Sequence, residues 1–337
     1  MLYSVGVRVP PWAPRISVNI AMFKGKYNEL VSHQTMIQDT HRTQGLMTAI
    51  EKAVQPGDTV IDFGSGTGIL AIKAAKCGAG KVIAIERNPV TAKILKTNAQ
   101  MNNVDIEVYV GNAKQFIEQY AGKFDAQVVI SECIGDHIFE NSMVIDFLTI
   151  AKTFNAQKRI PENFKLYTPN VYFNRKQSKF DIAKQNLFDN HSIDVSWLNE
   201  ELFPNTMLDV SYFSEGRDTL DYYFAFKPYT DTTLLYDFST LDDMLAYSND
   251  NRNITSKFTM PKESKAGDYV MLYWDIDLYN NTLFTNSPLR KQTANHSYFQ
   301  RMINVSSYKQ KTFELNIDFV FDKIANEDSP CENINLV

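Results

Sequence analysis

Cysteine is sparse: Cys77, Cys133 and Cys331 are the only three in 337 residues. They are unclustered and lack metal-site spacing, so neither a disulfide framework nor a zinc site is indicated. A basic excess is missing too. The chain carries 34 Lys and Arg against 39 Asp and Glu, a net charge of −5. That is the wrong sign for a general nucleic-acid binder, though compatible with a cationic or polar acceptor. No apolar run reaches the length of a membrane span, and the first residues lack a basic-then-apolar signal pattern. No nucleic acid, membrane or metal is therefore expected as a partner, and a reducing, cytoplasmic location is the expectation. What is present is an ordinary globular composition, 44% hydrophobic and 22% charged, over a length that suggests two domains, each with its own core.

The chain changes character twice. Residues 1–25 are proline-rich (Pro10, Pro11, Pro14) without helical period and read as an extended arm. Tyr27 to Val54 reads as helical, with apolar residues recurring at Met36, Ile37, Leu46, Met47 and Ile50. From Val60 onward strands and helices alternate: Thr59–Phe63, Ile69–Cys77, Lys81–Glu86, Pro89–Met101, Ile106–Val110, Ala113–Tyr120, Ala126–Ser131 and Val144–Phe154. Repeated βα units imply a parallel sheet with helices on both faces, so residues 26–160 are expected to form an α/β Rossmann-like domain. Beyond Pro161 come short aromatic and β-branched runs, Lys165–Tyr172, Leu220–Phe226, Val270–Leu278 and Thr312–Phe321. They predict an antiparallel β domain over 161–337. A more helical piece around Trp197, Leu198 and Leu202 reads as an insertion at 181–208.

The strongest motif is Val60-Ile61-Asp62-Phe63-Gly64-Ser65-Gly66-Thr67-Gly68, followed about twenty residues later by the strand Val82–Glu86. Gly64, Gly66 and Gly68 let backbone pass close to a ligand and tolerate positive φ. Glu86, at the tip of the next strand, is at the distance from which a carboxylate takes both hydroxyls of a ribose. The spacing is G-x-G-x-G, not the G-x-G-x-x-G of a pyrophosphate site. An acid just before the first glycine, Asp62, would repel a pyrophosphate but suits an ammonium or sulfonium. S-adenosyl-L-methionine, leaving S-adenosyl-L-homocysteine as product, fits that description.

Four patches together resemble the protein arginine methyltransferase family, within the class I S-adenosylmethionine-dependent methyltransferases. Tyr27, His33, Met36, Asp39 and Arg42 are similar to its N-terminal capping helices. The resemblance implies that Arg42 pairs with the cofactor carboxylate, His33 approaches the cofactor, Met36 lines the reaction centre and Tyr27 closes over it. The glycine loop with Glu86 is the second patch; the family's acceptor for the adenine amine falls on Lys114 here. The third is Ser131-Glu132-Cys133-Ile134-Gly135-Asp136-His137-Ile138-Phe139-Glu140-Asn141-Ser142-Met143, similar to the loop in which two glutamates grip a guanidinium. Two carboxylates hold such a cation and localise its charge, leaving one nitrogen lone pair toward the methyl group. Glu132 matches the first glutamate and is also expected to border the cofactor. The second falls on Asn141 without a gap, or on Glu140 with a one-residue shift. Glu132, Asp136, Asn141 and Met143 are the implied substrate contacts. In the fourth patch, Tyr273–Leu278 and Leu283–Pro288 resemble a strand and turn of the family's β-barrel, and His296 its substrate-side histidine. The resemblance also implies a homodimer in which 181–208 is the docking arm. Three functions follow: methyl transfer to a guanidino or related nitrogen, methyl transfer to another acceptor, or a silent cofactor-binding subunit.

Overall fold

The computed structural model describes residues 33, 36–135, 143–168, 170–175, 179–195, 208–210, 224–228, 233–238, 253–259, 268–287, 300–304, 312–319 and 332–336. Tyr27, Asp136, Glu140, Asn141 and His296, the 1–25 arm, and Trp197, Leu198 and Leu202 lie outside the described residues.

Five strands, β1 (Thr59–Phe63), β2 (Lys81–Glu86), β3 (Glu107–Val110), β4 (Val128–Ser131) and β5 (Lys158–Ile160), form an all-parallel sheet in the order β3-β2-β1-β4-β5. The central strands are apolar throughout because both faces are covered: every residue of β4 is buried, as is β1 from Val60 onward. β3, at an edge, is only half-buried. Helices α1 (Thr40–Ala53), α2 (Ile69–Lys76), α3 (Pro89–Met101), α4 (Ala113–Tyr120) and α5 (Met143–Thr153) accompany it. The chain runs outward from β1 to β3 and returns to β4 on the other side of β1. Ligands settle in the crevice such a reversal opens at the carboxyl ends of the strands. There the Ser131 hydroxyl donates to the Phe63 carbonyl at 2.8 Å, tying the two strand ends together.

The expected helix over 27–54 is interrupted. Residue 33 and residues 36–38 are helical, but α1 starts afresh at Thr40 because the Asp39 carboxylate caps it, accepting from the Arg42 amide at 3.1 Å.

The second half holds β6 (Asn163–Thr168), β7 (Asn170–Arg175), helix α6 (Lys179–His191), β8 (Leu208–Val210), β9 (Phe224–Pro228), β10 (Thr233–Phe238), β11 (Asn253–Thr259), β12 (Asp268–Asp277), β13 (Leu283–Thr285), β14 (Gln300–Asn304), β15 (Thr312–Phe319) and β16 (Glu332–Leu336). All pairings here are antiparallel. The ten-residue β12 organises the larger sheet: Tyr273–Asp277 pairs with β6, Asp268–Val270 with β7 and Tyr269–Leu272 with β14. The strand expected at Lys165–Tyr172 is covered by β6 and β7, which pair with β12 in one register, Tyr167 opposite Tyr273 and Asn170 opposite Val270; residue 169 lies outside the described residues. The described helix of the insertion begins at Lys179, ahead of residue 181.

The two halves share one core. Trp274 stacks on Phe284 with ring centroids 5.3 Å apart, and both belong to the same buried cluster as Leu46, Ile61 and Ile130. Lys52 of α1 donates to the Asn280 carbonyl at 3.0 Å and the Thr282 hydroxyl at 2.9 Å, clamping α1 onto the β12–β13 turn. Beneath that turn, Thr285 donates to Asp275 and to the Trp274 carbonyl, and Asn286 accepts from the Trp274 amide at 2.8 Å. All three polar side chains are buried, and their hydrogen bonds offset the desolvation.

Candidate active site

A cavity of about 260 Å³ opens at the carboxyl ends of β1, β2 and β4, lined by residues from the segment before α1, the glycine loop, the tips of β2, β3 and β4, and the first turn of α5. Its floor is backbone. Gly64 and Gly66 have φ of +71° and +54°, a region that disfavours side chains. A Cβ at Gly64 would stand 2.7 Å from the Met143 methyl, and one at Gly66 would stand 3.2 Å from His33 Cε1. Met143 and His33 therefore press directly on the loop, and both line the cavity with Met36. Burial lowers the His33 pKa, with Arg42 acting in the same direction and Glu86 against it. Its neutral form is favoured.

Glu86 is held in place before any ligand arrives. One carboxylate oxygen accepts from the Gly66 amide at 2.8 Å and the other from the Asn88 amide at 2.7 Å. Asn88 in turn caps α3 through Val90. Each oxygen keeps lone-pair capacity for a further donor, so the carboxylate both closes the loop and faces the cavity.

At the opposite end, Arg42 and Glu132 form an ion pair, their side chains 6% and 12% exposed. Arg42 also donates through Nη1 to the Met36 carbonyl at 3.3 Å and lies 3.7 Å from the Met36 sulfur. Two residues given separate tasks by the sequence reading, one for a cofactor carboxylate and one for the acceptor, thus form a single charged unit. They are 90 positions apart, and no local spacing could have announced their contact.

Two of the residues expected at the cofactor, Asp62 and Gly68, are not among those lining the cavity. Asp62 is fully buried and does not line the cavity; its Oδ2 accepts from the Ala71 amide at 3.1 Å, securing the first turn of α2. Burial pushes its carboxyl up to about 7, against hydrogen bonds from Ser65 and Ala71 that lower it. Gly68, at φ +88°, likewise lies off the cavity: a Cβ there would meet Leu95 Cγ at 2.6 Å. Its absence of side chain serves helix packing. Lys114 points to solvent, 84% exposed, within 3.9 Å of Glu118.

The sequence reading missed several cavity residues. Asn112 is fixed by a capping box, its Oδ1 accepting from the Gln115 amide at 2.9 Å while the Gln115 side chain accepts from the Asn112 amide at 3.1 Å. The N-x-x-Q pattern was the available signal. Asp146 lies three residues after Met143 on the same face of α5, and Arg87 follows Glu86. Cys133 lines the cavity too, but burial pushes its thiol up, so it is not a nucleophile at neutral pH. Among the described residues no group of His, Cys, Asp and Glu could hold a metal, and no helix is long and apolar enough to cross a membrane.

Comparison with known proteins agrees with this geometry. Residues 39–152 match the family model described as ribosomal protein L11 methyltransferase. The ribosomal protein L11 methyltransferase of Caldicellulosiruptor saccharolyticus is 40% identical over 102 residues, 30% of this chain and 32% of that protein. An arginine N(omega)-methyltransferase of Streptomyces achromogenes subsp. streptozoticus is 37% identical over 106 residues, 30% of this chain and 29% of that one. The chain thus spans about a third of the length of the curated relatives it matches. Among solved structures, Arabidopsis thaliana protein arginine methyltransferase 10 in an open conformation superposes with a TM-score of 0.63 at 16% identity, over 92% of this chain and 97% of that one. The Trypanosoma brucei PRMT1 enzyme–prozyme heterotetramer with AdoHcy gives 0.62 at 16% identity, over 93% and 99%. The class I methyltransferase resemblance read from the sequence is borne out over 39–152, and over nine-tenths of its length the chain has the fold of the protein arginine methyltransferases.

Proposed function

We propose that the protein is an S-adenosylmethionine-dependent methyltransferase acting on a guanidino or closely related nitrogen of a protein, peptide or small molecule. The observation that carries the reading is the Arg42–Glu132 pair facing the same cavity as the glycine loop and Glu86. The cavity suits the cofactor: a side-chain-free floor at Gly64 and Gly66, a carboxylate with spare acceptor capacity for ribose hydroxyls, and a buried guanidinium for a carboxylate.

Bound there, the cofactor supplies an electrophilic methyl group on sulfur. The protein's part is positioning. Glu86 orients the sugar, Arg42 holds the carboxylate end while pairing with Glu132, and Met36, Met143 and His33 pack around the centre. Glu132 would grip the acceptor cation and draw its charge to one side, leaving a nitrogen lone pair for the methyl group; as the N–C bond formed the S–C bond would break, the thioether would leave and the nitrogen's proton would pass to solvent. By the family resemblance Glu140 or Asn141, with Asp136, would complete the grip, and Tyr27 and His296 would be further contacts; all five lie outside the described residues. The division into residues 26–160 and 161–337, closure of the antiparallel strands into a barrel, and a cytoplasmic location belong to the same reading. So does a homodimer docked through 181–208. The solvent-facing Leu187, Phe188 and Ile193 on and after α6 support that last element.

The test has two stages. Titration calorimetry with S-adenosylhomocysteine should give saturable one-site binding; its absence rejects the cofactor. Incubation with methyl-labelled cofactor and, in parallel, free arginine, arginine-containing peptides and amine or hydroxyl metabolites, read by mass spectrometry, should label the guanidino group. Labelling of another acceptor would replace the substrate class. Binding without labelling of any acceptor would mark a silent subunit.

A further inference from the structure

Resting on the cofactor reading above, we propose that Asp146 recognises the exocyclic amine of the cofactor's adenine and so selects an adenosyl ligand over one whose base carries a carbonyl there. Such a cofactor has polar groups at both ends, the base among them, and each needs a partner. Glu86 takes the ribose, and the Arg42–Glu132 end takes the amino-acid portion. The base must then lie beyond Glu86, toward the tip of β3. That tip is fastened to Glu86 by the Gly111 amide, which donates to the Glu86 carbonyl at 3.1 Å, and Gly111, Asn112 and Ala113 all line the cavity.

The base has one donor unaccounted for, its exocyclic amine, and it needs an acceptor. The position to which the family resemblance gives that task is Lys114, a cation whose side chain is 84% exposed beside Glu118. Glu86, Glu132 and Asp146 are the described carboxylates that line the cavity, and of the three Asp146 has no task in the cofactor reading above. It stands in the first turn of α5, on the face shared with Met143, and α5 packs against α4, whose first residue is Ala113. The titratable groups that act with Asp146 are Arg87, the neighbour of Glu86, and Cys133, and both line the same cavity.

An acid in the first turn of a helix is ordinarily explained by the helix dipole and by solvent. Asp146 does not fit that explanation alone. It is half-buried in the cavity wall, and desolvation raises its carboxyl above the usual range despite Arg87. A desolvated carboxylate in a cavity is costly until a donor reaches it, and the amine of a bound adenine is such a donor.

The probe pair is S-adenosylhomocysteine and S-inosylhomocysteine, which differ in the base: the second offers a carbonyl oxygen where the first offers an amine. Calorimetry on the full chain should find the adenosyl compound bound at least about tenfold tighter, the size of one hydrogen bond to a charged group. Asp146→Asn presents an amide that can donate to the carbonyl, so the ratio should collapse toward one or reverse. Asp146→Ala should weaken the adenosyl compound without strengthening the inosyl one. A wild-type protein that does not distinguish the two, or a ratio unmoved by Asp146→Asn in a variant whose melting temperature is unchanged, overturns the assignment while leaving the cofactor intact. Failure of every form to bind either compound overturns the cofactor reading beneath it.

Discussion

The two ends of the cavity are built in opposite ways. The Glu86 end is made mostly by one stretch, β1 through the start of α3, joined by the tip of β3 at Gly111, and its contacts are largely backbone: glycine amides, strand tips and helix caps. The Glu132 end is made of side chains drawn from α1 and from the loop after β4, with the partners 90 residues apart. Backbone geometry is set by secondary structure and changes little with side-chain identity. An ion pair assembled from distant segments is readily altered. One end can thus remain a generic cofactor seat while the other is adapted to an acceptor.

If that division is right, its largest consequence is a separation of rate from affinity. Glu132→Gln should lower turnover by roughly a thousandfold, the scale of a lost transition-state contact. S-adenosylhomocysteine affinity should move by less than about tenfold. An affinity collapse of the same size as the rate loss would erase the distinction between the ends.

The loop end carries a pH signature through Asp62. Its carboxyl is raised by burial from 3.8 to about 7, so the folded chain keeps a proton that the unfolded chain releases. The contribution of this one group to stability should be greatest below about pH 4, fall as pH rises toward about 7, and level off above, an integrated loss on the order of 4 kcal/mol. Asp62→Asn retains an acceptor for the Ala71 amide and should flatten the curve. Urea unfolding of both proteins between pH 4 and 8 would expose parallel curves if the idea fails.

Glycine substitutions sharpen the backbone side of the contrast. Gly68→Ala forces a side chain at φ +88° into Leu95 and should cost about 2–3 kcal/mol in denaturant unfolding, strain and clash together. Gly57→Ala, at φ +91° with nothing within 4 Å, should cost only the strain, about 1 kcal/mol. Equal costs would mean that packing of α3 on the loop contributes nothing.

The smallest effect mirrors the first. Glu86→Ala should weaken S-adenosylhomocysteine by about 1.5–3 kcal/mol while leaving turnover at saturating cofactor within a few fold. Unaltered affinity would remove Glu86 from the ligand.

The same contrast explains what could be read from the chain. β1, β2, the glycine loop and Glu86 were legible because fully buried parallel strands write continuous apolar runs, and because a turn forced to positive φ at Gly64 and Gly66 leaves glycine no substitute. Glu132 was legible only through family resemblance. Its union with Arg42 was not, since it depends on where α1 lies against β4. That Asp62 is buried against the first turn of α2 was not legible either, because the sequence gives its distance from the loop but not the side of the strand from which it serves it. Asp146 was overlooked as an ordinary helix residue between Ile145 and Phe147; only the packing of α5 turns it to the cavity.

The grip of two amides on Glu86 has a thermodynamic corollary. A free glutamate gives up rotamer entropy when it binds a sugar, of the order of 1.5–2 kcal/mol. Here that loss is borne when the chain folds, because Gly66 and Asn88 freeze the carboxylate beforehand. Ligand association then orders only the ligand, and should register as a strongly favourable enthalpy with little entropic opposition from this side chain.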